Sequence, residues 1–114
     1  QLALPSIFVE KNASNQLELR RGFEIKKKAK VVVAEDVITT GSSVYECVKI
    51  VNLHGASVKC VVSLVDRSTK KIDFGCPFLS LLKLDVKTYS PDNLPDSLKN
   101  IPAVKPGSNK DTQL

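Results

Sequence analysis

Hydrophobic and polar residues follow one another in blocks that predict an α/β fold. Residues 30–34 (KVVVA) form a nearly continuous β-branched run, which is typical of a strand covered on both faces. From Ser42 the pattern changes to that of a helix, because apolar side chains recur at intervals of three and four residues. These side chains are Val44, Cys47, Val48 and Val51. Ser42 or Ser43 is predicted to cap the start of the helix, and His54-Gly55 to end it.

A second apolar strand is predicted directly after this helix, at residues 57–66 (SVKCVVSLVD). A strand, a helix and a strand joined by short turns form a βαβ unit, whose two strands run parallel with a right-handed crossover. The predicted fold class is therefore α/β, with a mostly parallel sheet and flanking helices.

Shorter elements are predicted around this unit. They are a strand at 5–10, a hairpin at 17–25 with Gly22 at its bend, a solvated turn at 26–30 and a strand at 78–86. Residues 90–114 are rich in proline and asparagine and are predicted to be mostly loop. With no internal repeat, residues 1–114 are predicted to form a single domain. The chain begins at Gln1, without an initiator Met and in front of an apolar segment, so we expect a piece of a longer protein.

The residues between the first core strand and the helix raise the question of function. Glu35 and Asp36 follow the strand, although neighbouring carboxylates repel each other and lose solvation when they are partly buried. In a parallel sheet the ligand crevice lies beyond the carboxyl ends of the strands, which is where we expect this pair. Residues 39–43 (TTGSS) then lead into a helix N-terminus, where free backbone N–H groups and the helix dipole favour an anion.

The two ends of this stretch suit two parts of one ligand. Gly41 allows the backbone to approach closely, and the hydroxyl groups beside it add donors for a phosphate. The two carboxylates are acceptors for a pair of sugar hydroxyls, so a phosphorylated ribose would satisfy both ends. Neither GxxxxGK[ST] nor GxGxxG occurs in the chain, which argues against a P-loop and a dinucleotide site. Two acids alone would indicate a solvated strand end, but the TTGSS turn and the helix favour a binding site.

Composition narrows the choice of partners. The net charge of +5 favours anionic ligands. Aromatic residues make up only 5% and none lies among the basic clusters, which argues against a stacking platform for nucleic acid. No apolar run approaches the length of a membrane span. Cys47, Cys60 and Cys76 show no CxxC spacing, so we expect reduced core thiols in a cytoplasmic protein instead of metal ligands or disulfides.

The stretch VVVAEDVITTGSS at 31–43 resembles the phosphoribosyl pyrophosphate (PRPP) signature of the type I phosphoribosyltransferases, and the chain is most similar to the members of that family that use orotate. Further stretches carry the resemblance over most of the chain. They are IFVEK at 7–11, LELRRGFEI at 17–25, SLVDRS at 63–68, KIDFGCPFLSLLKLDV at 71–86 and IPAVKPGS at 101–108. The resemblance implies a partial type I phosphoribosyltransferase-like core, from which the amino-terminal part of the family fold is missing.

The resemblance also implies roles for individual residues. Glu35 and Asp36 would hold the ribose 2′ and 3′ hydroxyls. Thr39 and Arg67 match positions that contact orotate, and a guanidinium suits a planar carboxylated ring; an isolated Asp66-Arg67 would otherwise be a surface charge pair. Lys11 matches a basic position near the family's catalytic loop, although a solvated turn lysine is the simpler interpretation. The complete PRPP site would comprise Glu35, Asp36, Val37, Ile38, Thr39, Thr40, Gly41, Ser42 and Ser43.

The reaction implied by the resemblance transfers the phosphoribosyl group of PRPP to orotate, with Mg²⁺ held mainly by substrate oxygens and water. No metal-ligating residues are therefore expected in the chain, nor is a nucleic-acid or membrane partner. Family members are usually homodimers. Three alternatives stay open: a PRPP-binding regulator without catalysis, a phosphoribosyltransferase for another base, and a structural α/β domain whose acid pair is simply solvated.

Overall fold

A small parallel sheet and one helix form the centre of the protein. The computed structural model describes residues 3–102 and residue 104. In chain order the elements are β1 (Val9–Lys11), β2 (Leu17–Leu19), β3 (Lys30–Ile38), α1 (Ser42–Leu53), β4 (Ser57–Asp66), β5 (Phe78–Lys83), a 3₁₀ turn (Pro91–Asn93) and α2 (Asp96–Lys99). Strands β3, β4 and β5 are neighbours in that order, and both pairings are parallel.

The βαβ unit predicted from the residue pattern is confirmed. Strand β4 has the predicted bounds, and it pairs with β3 so that Val33 lies opposite Val61. Helix α1 connects these two strands and packs on one face of the sheet. The helix ends as predicted, with His54 at its C-cap and Gly55 in the left-handed region at φ 70°.

The core lies between α1 and the sheet and extends to the segment before β5. Its members come from β3, β4, α1 and that segment. Full burial of an apolar side chain stabilises a fold by about 1.5–3 kcal/mol. The buried cluster consists of Val33, Ile38, Val44, Val61 and Phe74. The core thus fixes the end of β3 and the start of α1 against each other.

Several boundaries differ from the prediction. Strand β3 continues four residues past the predicted end at Ala34, because its ladder with β4 runs on to Ile38 opposite Asp66. Strand β5 ends at Lys83 and not at residue 86. Residues 90–102 are mostly irregular as predicted, with two short helical turns, whereas residues 103 and 105–114 of the predicted tail and most of the 101–108 stretch lie outside the described residues.

The amino-terminal region forms a different hairpin from the one predicted. Of residues 5–10 only Val9 and Glu10 are in a strand, because β1 pairs with the three residues of β2 alone. The residues after Gly22 do not return as a strand. A tight turn follows β2 instead, closed by a hydrogen bond from the Phe23 N–H to the Arg20 C=O, with Arg21 and Gly22 both at positive φ. The predicted turn at 26–30 is present up to Ala29.

The face of the sheet opposite α1 is apolar and open. Val32, Leu64, Leu79 and Leu81 are between 58% and 84% exposed there. In the described part of the chain, no helix is both long enough and apolar enough to cross a membrane.

Candidate functional site

The acid pair lies inside β3 and not beyond its end, which corrects the sequence-based placement. Because successive side chains of a strand point to opposite faces, Glu35 and Asp36 diverge. Glu35 is partly buried opposite Ser63 of β4, whereas Asp36 is exposed. Burial, and then the charge of Asp36, raise the pKa of Glu35. The pKa of Cys47 on α1 is raised as well, by burial first and then by Glu35. Glu35 is two positions after the core residue Val33, so it lies on the helix side of the sheet.

The loop after β3 ends in a helix start whose donors are left free. Gly41 is the N-cap residue of α1, in the left-handed region with φ 79°, and no side chain caps the helix. The predicted capping by Ser42 or Ser43 is therefore wrong, since both serines are already helical. Among the described residues, no partner engages the backbone N–H groups of Gly41 and Ser43. Unpaired N–H groups at the positive end of a helix dipole form a site for an anion.

The position of Gly41 requires glycine for two reasons. A positive φ is costly for residues with a Cβ, and a Cβ built here would lie 2.9 Å from Cε1 of Phe74. Phe74 belongs to the segment between β4 and β5, which is also tied to α1 by a 2.8 Å hydrogen bond from the Tyr45 hydroxyl to the Asp73 C=O. The segment between β4 and β5 therefore packs against the loop at Gly41.

A small cavity joins Glu35 to the loop. Its volume is about 40 Å³, and it is lined by Glu35 and by every residue from Val37 to Val44. Asp36 does not line it; its carboxylate accepts a 2.7 Å hydrogen bond from the N–H of Val37, and the residue borders the open face of the sheet. The structure thus brings together the loop residues and one of the two predicted carboxylates.

Arg67 lies at the same edge of the sheet, directly after β4. Its backbone N–H donates a 2.7 Å hydrogen bond to the C=O of Ile38, the residue before Thr39. The Nε atom of Arg67 is buried, and within residues 3–102 and 104 nothing bonds to it. This bond joins the backbone of Arg67 to the residue directly before Thr39, so the two predicted orotate-contacting residues lie at the same edge of the sheet.

The alternative interpretation of Asp66-Arg67 as a surface charge pair is wrong. Asp66 is buried and pairs with Lys83 of β5, whose Nζ lies 2.7 Å from Oδ2. Lys83 also donates to the backbone C=O (2.8 Å) and to Oγ (2.9 Å) of Ser68. The Ser68 N–H donates to Oδ1 of Asp66 at 2.8 Å. Burial acts to raise the pKa of Asp66, but the hydrogen bonds from Lys83 and Ser68 outweigh it and lower the pKa.

Sequence reasoning missed this cluster of Asp66, Ser68 and Lys83. The only available signal was a lysine that follows five mostly apolar residues at the end of β5 (FLSLLK). Its partner is 17 residues earlier in the chain, so the contact depends on the register of β4 with β5.

Two other groups of predicted residues lie apart from the site. Lys11 is exposed on β1, and within the described residues it lines no cavity with the loop and makes no bond to it. Cys47, Cys60 and Cys76 are free and partly buried, and Cys47 and Cys76 pack against the core.

Comparison with known proteins gives one family name repeatedly, although no family model matches the chain. The chain is 50% identical over 103 residues to the orotate phosphoribosyltransferase of Thermotoga maritima, covering 90% of this chain and 54% of that protein. It is 49% identical over 109 residues to the orotate phosphoribosyltransferase of Carboxydothermus hydrogenoformans, covering 96% of this chain and 56% of that protein. The chain thus spans about half the length of the curated relatives it matches.

Solved structures agree on the fold. An adenine phosphoribosyltransferase from Thermoanaerobacter pseudethanolicus superposes with a TM-score of 0.54 at 25% identity, over 73% of this chain and 51% of that one. An orotate phosphoribosyltransferase from Aeropyrum pernix gives a TM-score of 0.50 at 25% identity, over 66% of this chain and 43% of that one. The resemblance stated from the sequence is confirmed, and the fold is a partial type I phosphoribosyltransferase core.

Proposed function

We propose that the chain is part of an orotate phosphoribosyltransferase. Such an enzyme transfers the phosphoribosyl group of PRPP to orotate and releases pyrophosphate and orotidine 5′-monophosphate, a step of de novo pyrimidine (UMP) biosynthesis. The observation that carries the proposal is the identity of 48–50% with orotate phosphoribosyltransferases over 90–96% of the chain. It is supported by a site in which an anion-binding loop and a carboxylate share one cavity.

The loop is the proposed site of the PRPP 5′-phosphate. The free N–H groups of Gly41 and Ser43, the hydroxyls of the loop and the helix dipole all favour a multiply charged anion. Glu35, which lines the same cavity, is the proposed acceptor for a ribose hydroxyl. Asp36 points to the other face of the sheet, so it would accept a second hydroxyl only after the end of β3 rearranges and its side chain releases the Val37 N–H.

Arg67 and Thr39 are the proposed contacts of orotate. A buried Nε without a partner in the described residues has lost its hydration, so an anionic ligand would restore a favourable interaction. A guanidinium can bind a carboxylate through two parallel hydrogen bonds, which a lysine ammonium group cannot do. The departure of pyrophosphate leaves positive character on the ribose, so the residues of the site act by positioning and by screening charge.

We propose that Mg²⁺ binds together with the substrate PRPP. The described residues contain no cluster of three or more side chains able to hold a metal ion. Mg²⁺ usually keeps waters and substrate phosphates as its ligands, so the ion would be held mainly by PRPP and not by residues of the chain. Bound in this way, the ion would neutralise pyrophosphate charge.

We further propose a cytoplasmic homodimer. Free, partly buried cysteines fit a reducing compartment. The open apolar face of the sheet favours association with more protein, either another part of the same polypeptide or a second copy. Sedimentation of the full-length protein as a compact monomer at high concentration would contradict the dimer.

The proposed activity can be tested on the full-length protein that carries this chain. PRPP, orotate, adenine and Mg²⁺ are titrated by calorimetry, and formation of orotidine 5′-monophosphate is followed by the change in ultraviolet absorbance. Binding of both substrates with turnover supports the proposal. PRPP binding without turnover would indicate the regulator, turnover with a different base would change the substrate, and a folded protein that binds no PRPP would be a structural domain.

A further inference from the structure

We infer that Lys83 is a positioning residue for Arg67 and thereby sets the affinity for the base; this rests on the proposed function. Lys83 does not line the cavity of the proposed phosphate site. Its three hydrogen bonds go to Asp66 and Ser68, the two residues on either side of Arg67.

The geometry fixes Arg67 from three directions. The Ser68 N–H bonds to Asp66, which closes a tight turn with Arg67 at its middle. Lys83 holds both ends of this turn to β5. The Arg67 N–H is held by Ile38 of β3. The backbone of Arg67 is therefore anchored to both neighbouring strands, and the side chain begins from a defined position.

The charges give Lys83 a second effect on Arg67. Asp66 is the carboxylate nearest to Arg67 in the chain, and its side chain is only 10% exposed. Lys83 occupies Oδ2 of that carboxylate while the Ser68 N–H occupies Oδ1. Without Lys83, the buried carboxylate would lack its cation, and the Arg67 guanidinium, next to Asp66 in the chain, could turn towards it, as could Lys70 or Lys71, which line the same cavity. Lys83 thus keeps Arg67 available for an external anion.

The test compares Lys83→Met with Lys99→Met in the full-length protein. Lys99 is the matched control, because it also pairs with an aspartate, Asp96, but on the exposed short helix α2. Affinities for orotate and for PRPP are measured separately by calorimetry. Lys83→Met should weaken orotate binding about tenfold, the lower end of what a charge-assisted hydrogen bond contributes. It should change PRPP binding less than about twofold, and Lys99→Met should change neither.

A double-mutant cycle separates positioning from a general loss of structure. In an Arg67→Ala background, Lys83→Met should cause no further loss of orotate affinity, since the lysine acts through the arginine. The same tenfold loss in that background, equal losses for both ligands, or unchanged orotate affinity would each overturn the inference. If Lys83→Met does not fold, Ser68→Ala carries the test, with a smaller orotate-selective loss expected and a non-selective one overturning it. A wild-type protein that binds PRPP but no orotate would overturn the proposed function, and this inference with it.

Discussion

Replacing Gly41 by alanine tests how the proposed phosphate loop is built. Alanine at φ 79° pays the cost of the left-handed region, about 1–2 kcal/mol for a residue with a Cβ. The new methyl group would also lie 2.9 Å from Cε1 and 3.0 Å from Cζ of Phe74, and 3.3 Å from Cδ1 of Ile72. Phe74 is a core residue, and inserting a methylene-sized group into a packed core typically costs about 1–3 kcal/mol. The expected loss of unfolding free energy is therefore about 2–5 kcal/mol.

Gly22→Ala is the matched control for this substitution. Gly22 has nearly the same backbone conformation, with φ 71°, but a Cβ there would meet no heavy atom within 4 Å. It should therefore lose only the backbone part, about 1–2 kcal/mol. Urea denaturation of the full-length protein and of both variants measures the difference, and PRPP affinity should fall only for Gly41→Ala.

The Phe74 contact can also be relieved directly. Phe74→Leu in the Gly41→Ala background should make the double variant more stable than the sum of the two single losses predicts, because leucine leaves room for the methyl group. Equal destabilisation by Gly41→Ala and Gly22→Ala, together with additive losses in the double variant, would refute the role assigned to Phe74.

Three further predictions concern the charged groups of the site. Burial raises the pKa of Glu35, so its ionised form destabilises the folded state at neutral pH. Glu35→Gln should therefore raise the melting temperature while weakening PRPP binding about tenfold. A lower melting temperature would contradict this. Arg67→Ala should weaken orotate binding about ten- to a hundredfold and PRPP binding far less, and Arg67→Lys should recover only part of the lost orotate affinity. Equal losses of orotate and PRPP affinity in calorimetry would instead mean that Arg67 supports the edge of the sheet. The pKa of Asp66 is lowered, so its stabilising effect is present above the ordinary value of about 3.9 and is lost as the pH falls through the depressed value. Acid denaturation should therefore show a smaller loss of stability over that range in Lys83→Met than in the wild type, and identical losses would contradict the pairing.

The sequence pattern predicted the parts of the fold that depend on local composition. Strand β4 was placed correctly because an apolar run of the right length is bounded by a polar turn and by Asp66. Helix α1 was found because its apolar stripe has a helical period, and its end was marked by Gly55.

The boundary of β3 could not be predicted in the same way. Polar side chains at Glu35 and Asp36 suggest the end of a strand, but the ladder consists of backbone hydrogen bonds, which pair Glu35 with Ser63 and Val37 with Val65 whatever the side chains are. The helix cap was missed for a related reason, since the left-handed backbone of Gly41, and not a serine hydroxyl, begins the helix.

The sequence predicted which residues of the loop lie together with Glu35, but it did not predict the contacts that hold the candidate site in place. The loop and Glu35 share a cavity as expected from their order in the chain, because strand, loop and helix are contiguous. The pairing of Asp66 with Lys83 depends on two strands meeting in one register, and the contact of Gly41 with Phe74 depends on how the segment after β4 folds back. Neither contact can be predicted from the residues that are next to these positions in the chain.

The hydrogen bond between the Arg67 N–H and the Ile38 C=O has a consequence for how base preference can change in evolution. Any amino acid other than proline at the donor position can make a bond between two backbone groups, so substitutions of the side chain at position 67 leave this bond in place. The spacing between the proposed phosphate loop and the residue proposed to contact the base is therefore set by the backbone of the sheet. On the proposed function, the side chain at position 67 can be exchanged without moving that loop, and single substitutions there would change the base that is bound while leaving the proposed ribose-phosphate site unchanged.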